Sequence, residues 1–223
     1  MASFPLPDSK LSALQRDVLL AFFEREQRFF LTGGSALGGF YLLHRYSDDL
    51  DLFTTDQEAS GDAERALDAA ATACGATVRS LRRFPEFRRY LVTRGEEETV
   101  IDLVLERVPQ TAGEKRRFGT VRVDPLEEIA ANKLCALLGR CEAKDLVDLE
   151  AILGAGIRLE DALHAAERKD AGVSAASLAY VLDQWRIGEQ AQLPGGADPR
   201  QVEQFRRALV SRLAELALPG DHD

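Results

Sequence analysis

Apolar residues recur at Leu11, Leu14, Val18, Leu19, Phe22 and Phe23 behind Ser9, the spacing of an amphipathic helix with a serine cap. That pattern predicts a first helix ending near Gln27. Phe29-Phe30-Leu31-Thr32 is a short apolar run halted by Gly33-Gly34, and Ser35–His44 reads as a helix, which gives strand, tight turn, helix. Asp49–Phe53 alternates polar and apolar positions as a half-buried strand does. Residues 61–74 follow as a helix stopped by Gly75, and strands are predicted over Thr77–Phe84, Phe87–Thr93, Thr99–Leu105 and, shorter, Thr120–Val123. From Pro125 the chain turns to long Ala/Leu/Glu-rich stretches broken at Gly139, Gly154–Gly156, Gly172 and Pro194–Gly196, which predicts five or so helices. The expected class is α+β, with a strand-containing domain over residues 1–124 and a helical C-terminal domain over 125–223. The sequence has no internal repeat or low-complexity segment.

Composition narrows the function classes. The 223 residues carry 45% hydrophobic and 29% charged side chains, which excludes a disordered or a membrane-embedded chain. A net charge of −9 argues against indiscriminate binding to nucleic-acid backbones. The charge is uneven, however: Arg79 to Arg122 holds 11 basic against 7 acidic residues, a basic island in an acidic chain. Cys74, Cys135 and Cys141 form no C-x-x-C pair, so reduced thiols are the expectation. With no apolar leader in the first twenty residues and no long apolar run, a cytoplasmic location without membrane contact is expected.

Candidate chemistry begins at Thr32-Gly33-Gly34-Ser35. Glycines there permit a tight backbone turn, and free amides at a helix start suit an anion, with the Ser35 hydroxyl beside them. Fourteen residues after Ser35 comes Asp49-Leu50-Asp51, whose period of two sends both carboxylates to one face of a strand. Two such carboxylates repel unless a cation lies between them, and hard oxygen donors suit Mg²⁺ held together with substrate phosphates. Asp102 interrupts the apolar strand Thr99–Leu105 and needs a cation or hydrogen-bond donors, an arginine salt bridge being one way to satisfy it. Lys133 sits mid-stripe on the helix after Pro125, where it either meets a negative partner or snorkels outward. Asp145 and Asp148 follow one turn apart, and Asp148 could simply pair with Lys144 at the surface.

Taken together, GGSALGGFYLLHRYSDDLDLF, the isolated Asp of VIDLV, and PLEEIAANKLCALLGRCEAKDLVDLEAIL resemble the four motif regions of the AbiEii/AbiGii-type nucleotidyltransferase toxins, within the DNA polymerase beta-like superfamily. The resemblance spans about residues 29–153. It implies a nucleotidyltransferase domain built on a mixed sheet flanked by helices, followed by a helical C-terminal part. It also implies that Gly33, Gly34 and Ser35 hold the triphosphate of an NTP substrate, and that Asp49, Asp51 and Asp102 form the catalytic carboxylate set around one or two Mg²⁺ ions. By the same resemblance Lys133 meets the nucleotide phosphates, Asp145 or Asp148 supports it or the second substrate, and Arg45 either steadies the Asp loop or touches phosphate. The acceptor implied is RNA, a transfer RNA 3′ end, and the partner a cognate antitoxin. Arg82, Arg83, Arg88, Arg89, Arg116 and Arg117, interleaved with Phe84, Phe87, Tyr90 and Phe118, offer phosphate contacts and stacking faces for that RNA. A cationic small-molecule acceptor such as an aminoglycoside, or a catalytically silent nucleotide-binding homologue, are the other readings.

Overall fold

The computed structural model describes residues 8–218. The leader reading therefore rests partly on residues outside the described range, as do the outer ends of the two expected domains. The chain divides into two compact units. One comprises the described residues up to Val108 with Gly113–Pro125, and the other Pro109–Ala112 with the described residues from Leu126 onward.

The first unit carries seven strands: β1 (Phe30–Thr32), β2 (Asp49–Thr54), β3 (Thr77–Arg83), β4 (Phe87–Arg94), β5 (Glu97–Leu105), β6 (Arg116–Phe118) and β7 (Val121–Val123). They form one mixed sheet in the order β3-β4-β5-β2-β1-β7-β6, with β2 parallel to β5, β1 parallel to β7, and the other pairs antiparallel. Leu50 and Leu52 of β2 and Ile101 and Leu103 of β5 are buried on one face, beneath α1 (Ala13–Phe23) and α3 (Gln57–Ala73). Each such leucine contributes about 1.5–3 kcal/mol by leaving water. Because alternation is strict, the intervening residues Asp49, Asp51 and Phe53 stand half-buried on the opposite face.

Local chemistry moved several predicted boundaries. Helix α1 is capped by Ser12, not Ser9: Ser12 Oγ accepts from the Gln15 amide while the Gln15 side chain accepts from the Ser12 amide, a capping box. It ends at Phe23, short of Gln27. Helix α3 starts four residues before the predicted 61, because the Asp56 carboxylate takes the Glu58 and Ala59 amides. The helix after β1 opens as α2 (Gly33–Ala36) and widens into a π-helical turn, Leu37–Tyr41. Strand β6 was not predicted, since Arg116-Arg117-Phe118 has no apolar alternation and pairs only with β7.

The second unit is helical: α4 (Leu126–Gly139), α5 (Ala143–Gly154), α6 (Leu159–Lys169), α7 (Ala175–Gln184) and α8 (Pro199–Ala217). These match the five helices expected after Pro125. Glu128 of α4, fully buried, accepts the amides of Thr111 and Ala112 and pairs with Lys169. That pairing explains why Pro109–Ala112 belongs to this unit. Among the described residues no helix is long and apolar enough to cross a membrane.

Candidate active site

Parallel pairing of β2 and β5 places Asp51 directly beside Asp102, and Asp49 beside Val100, on the half-buried face of the sheet. Adjacent strands lie roughly 4.8 Å apart, so the carboxylates of Asp51 and Asp102 are near neighbours. Asp102 is only 4% exposed, and its charge is met from β4: Arg89 Nε donates to Oδ1 at 2.8 Å and Nη2 to Oδ2 at 2.6 Å. This is the arginine salt bridge that the isolated Asp allowed. The hydrogen bonds to Asp102, against some burial and with added attraction from Asp102, Asp49 and Asp51, hold the Arg89 guanidinium more firmly charged than usual. Ser47 Oγ donates to Asp49 Oδ1 at 2.8 Å, which fixes that carboxylate at the strand's entrance.

The glycine corner abuts these acids. Thr32 of β1 pairs with Asp51, and Gly33, next in the chain, has φ +69° with its Cα so close that a Cβ would lie 2.2 Å from Asp51 Oδ2. At Gly34 a Cβ would meet Arg45 Nη2 at 2.6 Å and Ser47 Oγ at 2.9 Å. Gly33 requires glycine, its φ lying in the left-handed region, and at Gly34 a side chain would push Arg45 and Ser47 aside. Arg45, 6% exposed, packs its guanidinium against this corner and donates to the Tyr46 carbonyl at 2.9 Å, so it steadies the loop leading into β2. Ser35 is fully buried and its hydroxyl faces the Thr32 carbonyl at 3.4 Å, whereas the buried Thr32 Oγ1 finds no hydrogen-bond partner among the described residues. A Gly33→Ala substitution should therefore displace Asp51 by about an ångström and lower nucleotide transfer about a hundredfold, measured as kcat on a common acceptor.

The remaining expected residues lie in the second unit. Lys133 Nζ meets Asp145 Oδ1 at 2.9 Å and Asp148 Oδ2 at 2.6 Å, and Arg140 adds two hydrogen bonds of 2.8 Å each to Asp145. Lys133 is 6% exposed and both aspartates are fully buried, so neither snorkelling nor the Lys144–Asp148 surface pair occurs; Lys144 pairs with Glu142 instead at 3.1 Å. Burial works against the Lys133 ammonium, but Asp148 and Asp145 outweigh it and keep its pKa above the usual lysine value. Burial likewise works against ionised Asp145, yet Arg140 and Lys133 pull its pKa below the usual value. A depressed carboxylate stabilises the fold above its unfolded pKa and loses that contribution as pH falls through the folded value. The thermal midpoint should thus fall more steeply below about pH 4 in the wild type than in Asp145→Asn, as read by calorimetry across pH.

The basic island does not form one surface. Arg83 pairs with Glu64 and Arg88 donates to the Ser60 carbonyl, both on the α3 side, while Arg82 pairs in register with Arg89 on the carboxylate face. Arg116 and Arg117 lie on β6, at the other edge of the sheet. Of the aromatic residues, Tyr90 is buried, Phe118 packs against Phe40 and Tyr41, Phe87 is half-buried with the Arg89 guanidinium 5.5 Å from its ring, and Phe84 is exposed.

Three supporting groups escaped sequence reasoning: Arg89 on Asp102, Ser47 on Asp49, and Arg140 on Asp145. Arg89 could be found only by knowing the β4–β5 register, whereas Ser47, two residues before Asp49, was within reach of a local reading. As a metal-binding set, the carboxylates suit an ion shared with a substrate. Among the described residues no three His, Cys, Asp or Glu side chains converge into a ready-made cage, because both oxygens of Asp102 are turned to Arg89. Asp49 and Asp51 supply hard oxygens of the kind Mg²⁺ takes when phosphates complete its shell.

No curated protein matches the chain by sequence. Among solved structures, the protein JHP933 from Helicobacter pylori is similar, with a TM-score of 0.59 and 21% identity over 91% of this chain and 89% of that one. The nucleotidyltransferase toxin MenT4 from Mycobacterium tuberculosis has a TM-score of 0.60 and 19% identity, over 92% of this chain and 82% of its own. These neighbours share the fold. The family model described as "Nucleotidyl transferase AbiEii toxin, Type IV TA system" matches residues 16–217, and the chain therefore belongs to the AbiEii nucleotidyltransferase toxins of type IV toxin–antitoxin systems.

Proposed function

We propose that this enzyme moves a nucleoside monophosphate from an NTP to a hydroxyl of RNA, a tRNA 3′ end being the acceptor, and that a cognate antitoxin restrains it in the cytoplasm. The observation that supports this best is the apposition of Asp51, Asp102 and Gly33 on three adjoining segments. Asp49 and Asp51 would hold one or two Mg²⁺ ions, which when bound would neutralise charge developing on the transferred phosphoryl group and the leaving oxygens. The Gly33-Gly34 corner takes the β- and γ-phosphates, with the buried hydroxyls of Ser35 and Thr32 standing behind it. Asp102, released from Arg89, orients the acceptor hydroxyl or takes its proton. Lys133, with Asp145 and Asp148 fixing it, is assigned to the nucleotide phosphates by family resemblance, and Arg45 to the loop behind the corner. The expected domains, 1–124 and 125–223, would then be the transferase and helical parts.

The test is incubation of purified protein with each α-labelled NTP, Mg²⁺ and total RNA. Label is expected in the tRNA band, and its loss on adding a chelator and return with excess Mg²⁺ would support the metal role. Label that persists in chelator, or that never enters RNA with any NTP, would contradict the reading.

A further inference from the structure

In-line transfer needs the acceptor hydroxyl and the pyrophosphate on opposite sides of the α-phosphorus. In the sheet the carboxylates of β2 and β5 lie between two flanks. On the β1 side stands the Gly33-Gly34 corner, assigned above to the leaving phosphates. On the other side β4 continues the same face, so the acceptor should arrive over β5 and β4.

A cavity of about 410 Å³ opens on that flank. Two cross-strand rows define its place. Arg89, Asp102 and Asp51 form one row, and Leu91, Val100 and Asp49 form the next. Rows on one face are about 6.6 Å apart, roughly the reach from a base to its ribose hydroxyls. Leu91 and Val100, both half-buried, line the cavity with apolar surface, and Tyr46, 65% exposed, adds an aromatic ring. Asp48 and Glu98 line it as well, exposed, with neither carboxylate hydrogen-bonded or ion-paired to another described residue, and Ser12 and Gln15 of α1 with Ser47 and Thr99 close its inner end. An apolar lining with an aromatic ring and convergent polar groups is the make-up of a ligand site, and the volume lies in the range of such sites.

We infer that this cavity is the subsite for the terminal base of the RNA acceptor, and that it selects bases carrying an exocyclic amine. The inference rests on the nucleotide-transfer reading above. A base lying against Leu91 and Val100 and stacked on Tyr46 presents its edge to Asp48 and Glu98. Carboxylates accept hydrogen bonds from the amines of adenine, cytosine or guanine, whereas uracil offers a single N3–H flanked by two carbonyl oxygens that the carboxylates repel. The ribose of the seated nucleotide would then extend toward Asp49 and Asp102, where the hydroxyl reacts.

The experiment uses four RNA stem-loops identical except for a final A, C, G or U, with transfer measured as kcat and KM for each. Wild-type enzyme should favour the amine-bearing ends over U by roughly tenfold or more in kcat/KM, the worth of one well-made hydrogen bond to a charged group. The Asp48→Ala/Glu98→Ala double variant should bring the four ends within about twofold while KM for the NTP stays unchanged. Leu91→Trp, which fills the cavity, should raise the acceptor KM about tenfold, its folding checked by circular dichroism. Equal use of all four ends by the wild type would overturn the base subsite and leave nucleotide transfer standing, and so would an acceptor KM unmoved by Leu91→Trp in folded protein. Transfer to a cationic small molecule and to no RNA end would overturn the subsite together with the RNA reading.

Discussion

Asp51→Asn is expected to lower nucleotide transfer by about a thousandfold or more, with the unfolding temperature close to that of the wild type. Asp51 is half-buried on the open face of the sheet, so an isosteric amide leaves the packing of Leu50 and Leu52 beneath it intact. What changes is charge. A neutral oxygen beside Gly33 cannot balance a divalent ion against a triphosphate, and the repulsion between Asp49 and Asp51 that an ion would relieve is gone as well. Asp49→Asn should behave alike, with the Ser47 hydroxyl still able to bond the amide oxygen. Steady-state kinetics on one acceptor, paired with thermal unfolding, checks both halves of the expectation. Near wild-type kcat in either folded variant would remove these residues from the chemistry.

Lys133→Met should have the largest effect on stability. The ammonium is the cation shared by Asp145 and Asp148, both fully buried, and removing it leaves Asp148 without its 2.6 Å ion pair. Breaking a buried pair in this way costs about 3–5 kcal/mol. Arg140 still holds Asp145 with two hydrogen bonds after the change. The triple change Lys133→Met, Asp145→Asn, Asp148→Asn removes the stranded charges and should recover much of the stability without recovering turnover. Denaturant titrations of the three proteins separate these contributions. If Lys133→Met were as stable as the wild type, the cluster would not be the anchor of its unit.

The shared face of the two strand carboxylates was legible from local pattern. The period-two alternation of Asp49–Phe53 placed both acids on one face, and Gly33-Gly34 marked a tight turn before a helix, where the structure sets Gly33 against Asp51. For Lys133 the sequence left a negative partner and snorkelling both open, and for Asp148 a surface pair with Lys144; the structure pairs Lys133 with both Asp145 and Asp148. What could not be read depends on long-range register. Arg89 reaches Asp102 only because β4 and β5 pair as they do, while alternation along β4 sends Arg88 to the opposite face. For that reason the arginine-rich stretch, continuous in sequence, is divided in space. The first helix cap was misplaced because two serines three residues apart compete, and only Ser12 has Gln15 at the position a capping box needs.

The central claim is that Asp49 and Asp51 hold a divalent ion together with the triphosphate. Titration of Mn²⁺ followed by electron paramagnetic resonance, with and without a non-hydrolysable NTP, tests it most directly. Wild-type protein should bind Mn²⁺ tightly only when the nucleotide is present, and the Asp49→Asn/Asp51→Asn protein should lose that nucleotide-dependent binding. Equal Mn²⁺ uptake by the folded double variant would contradict it.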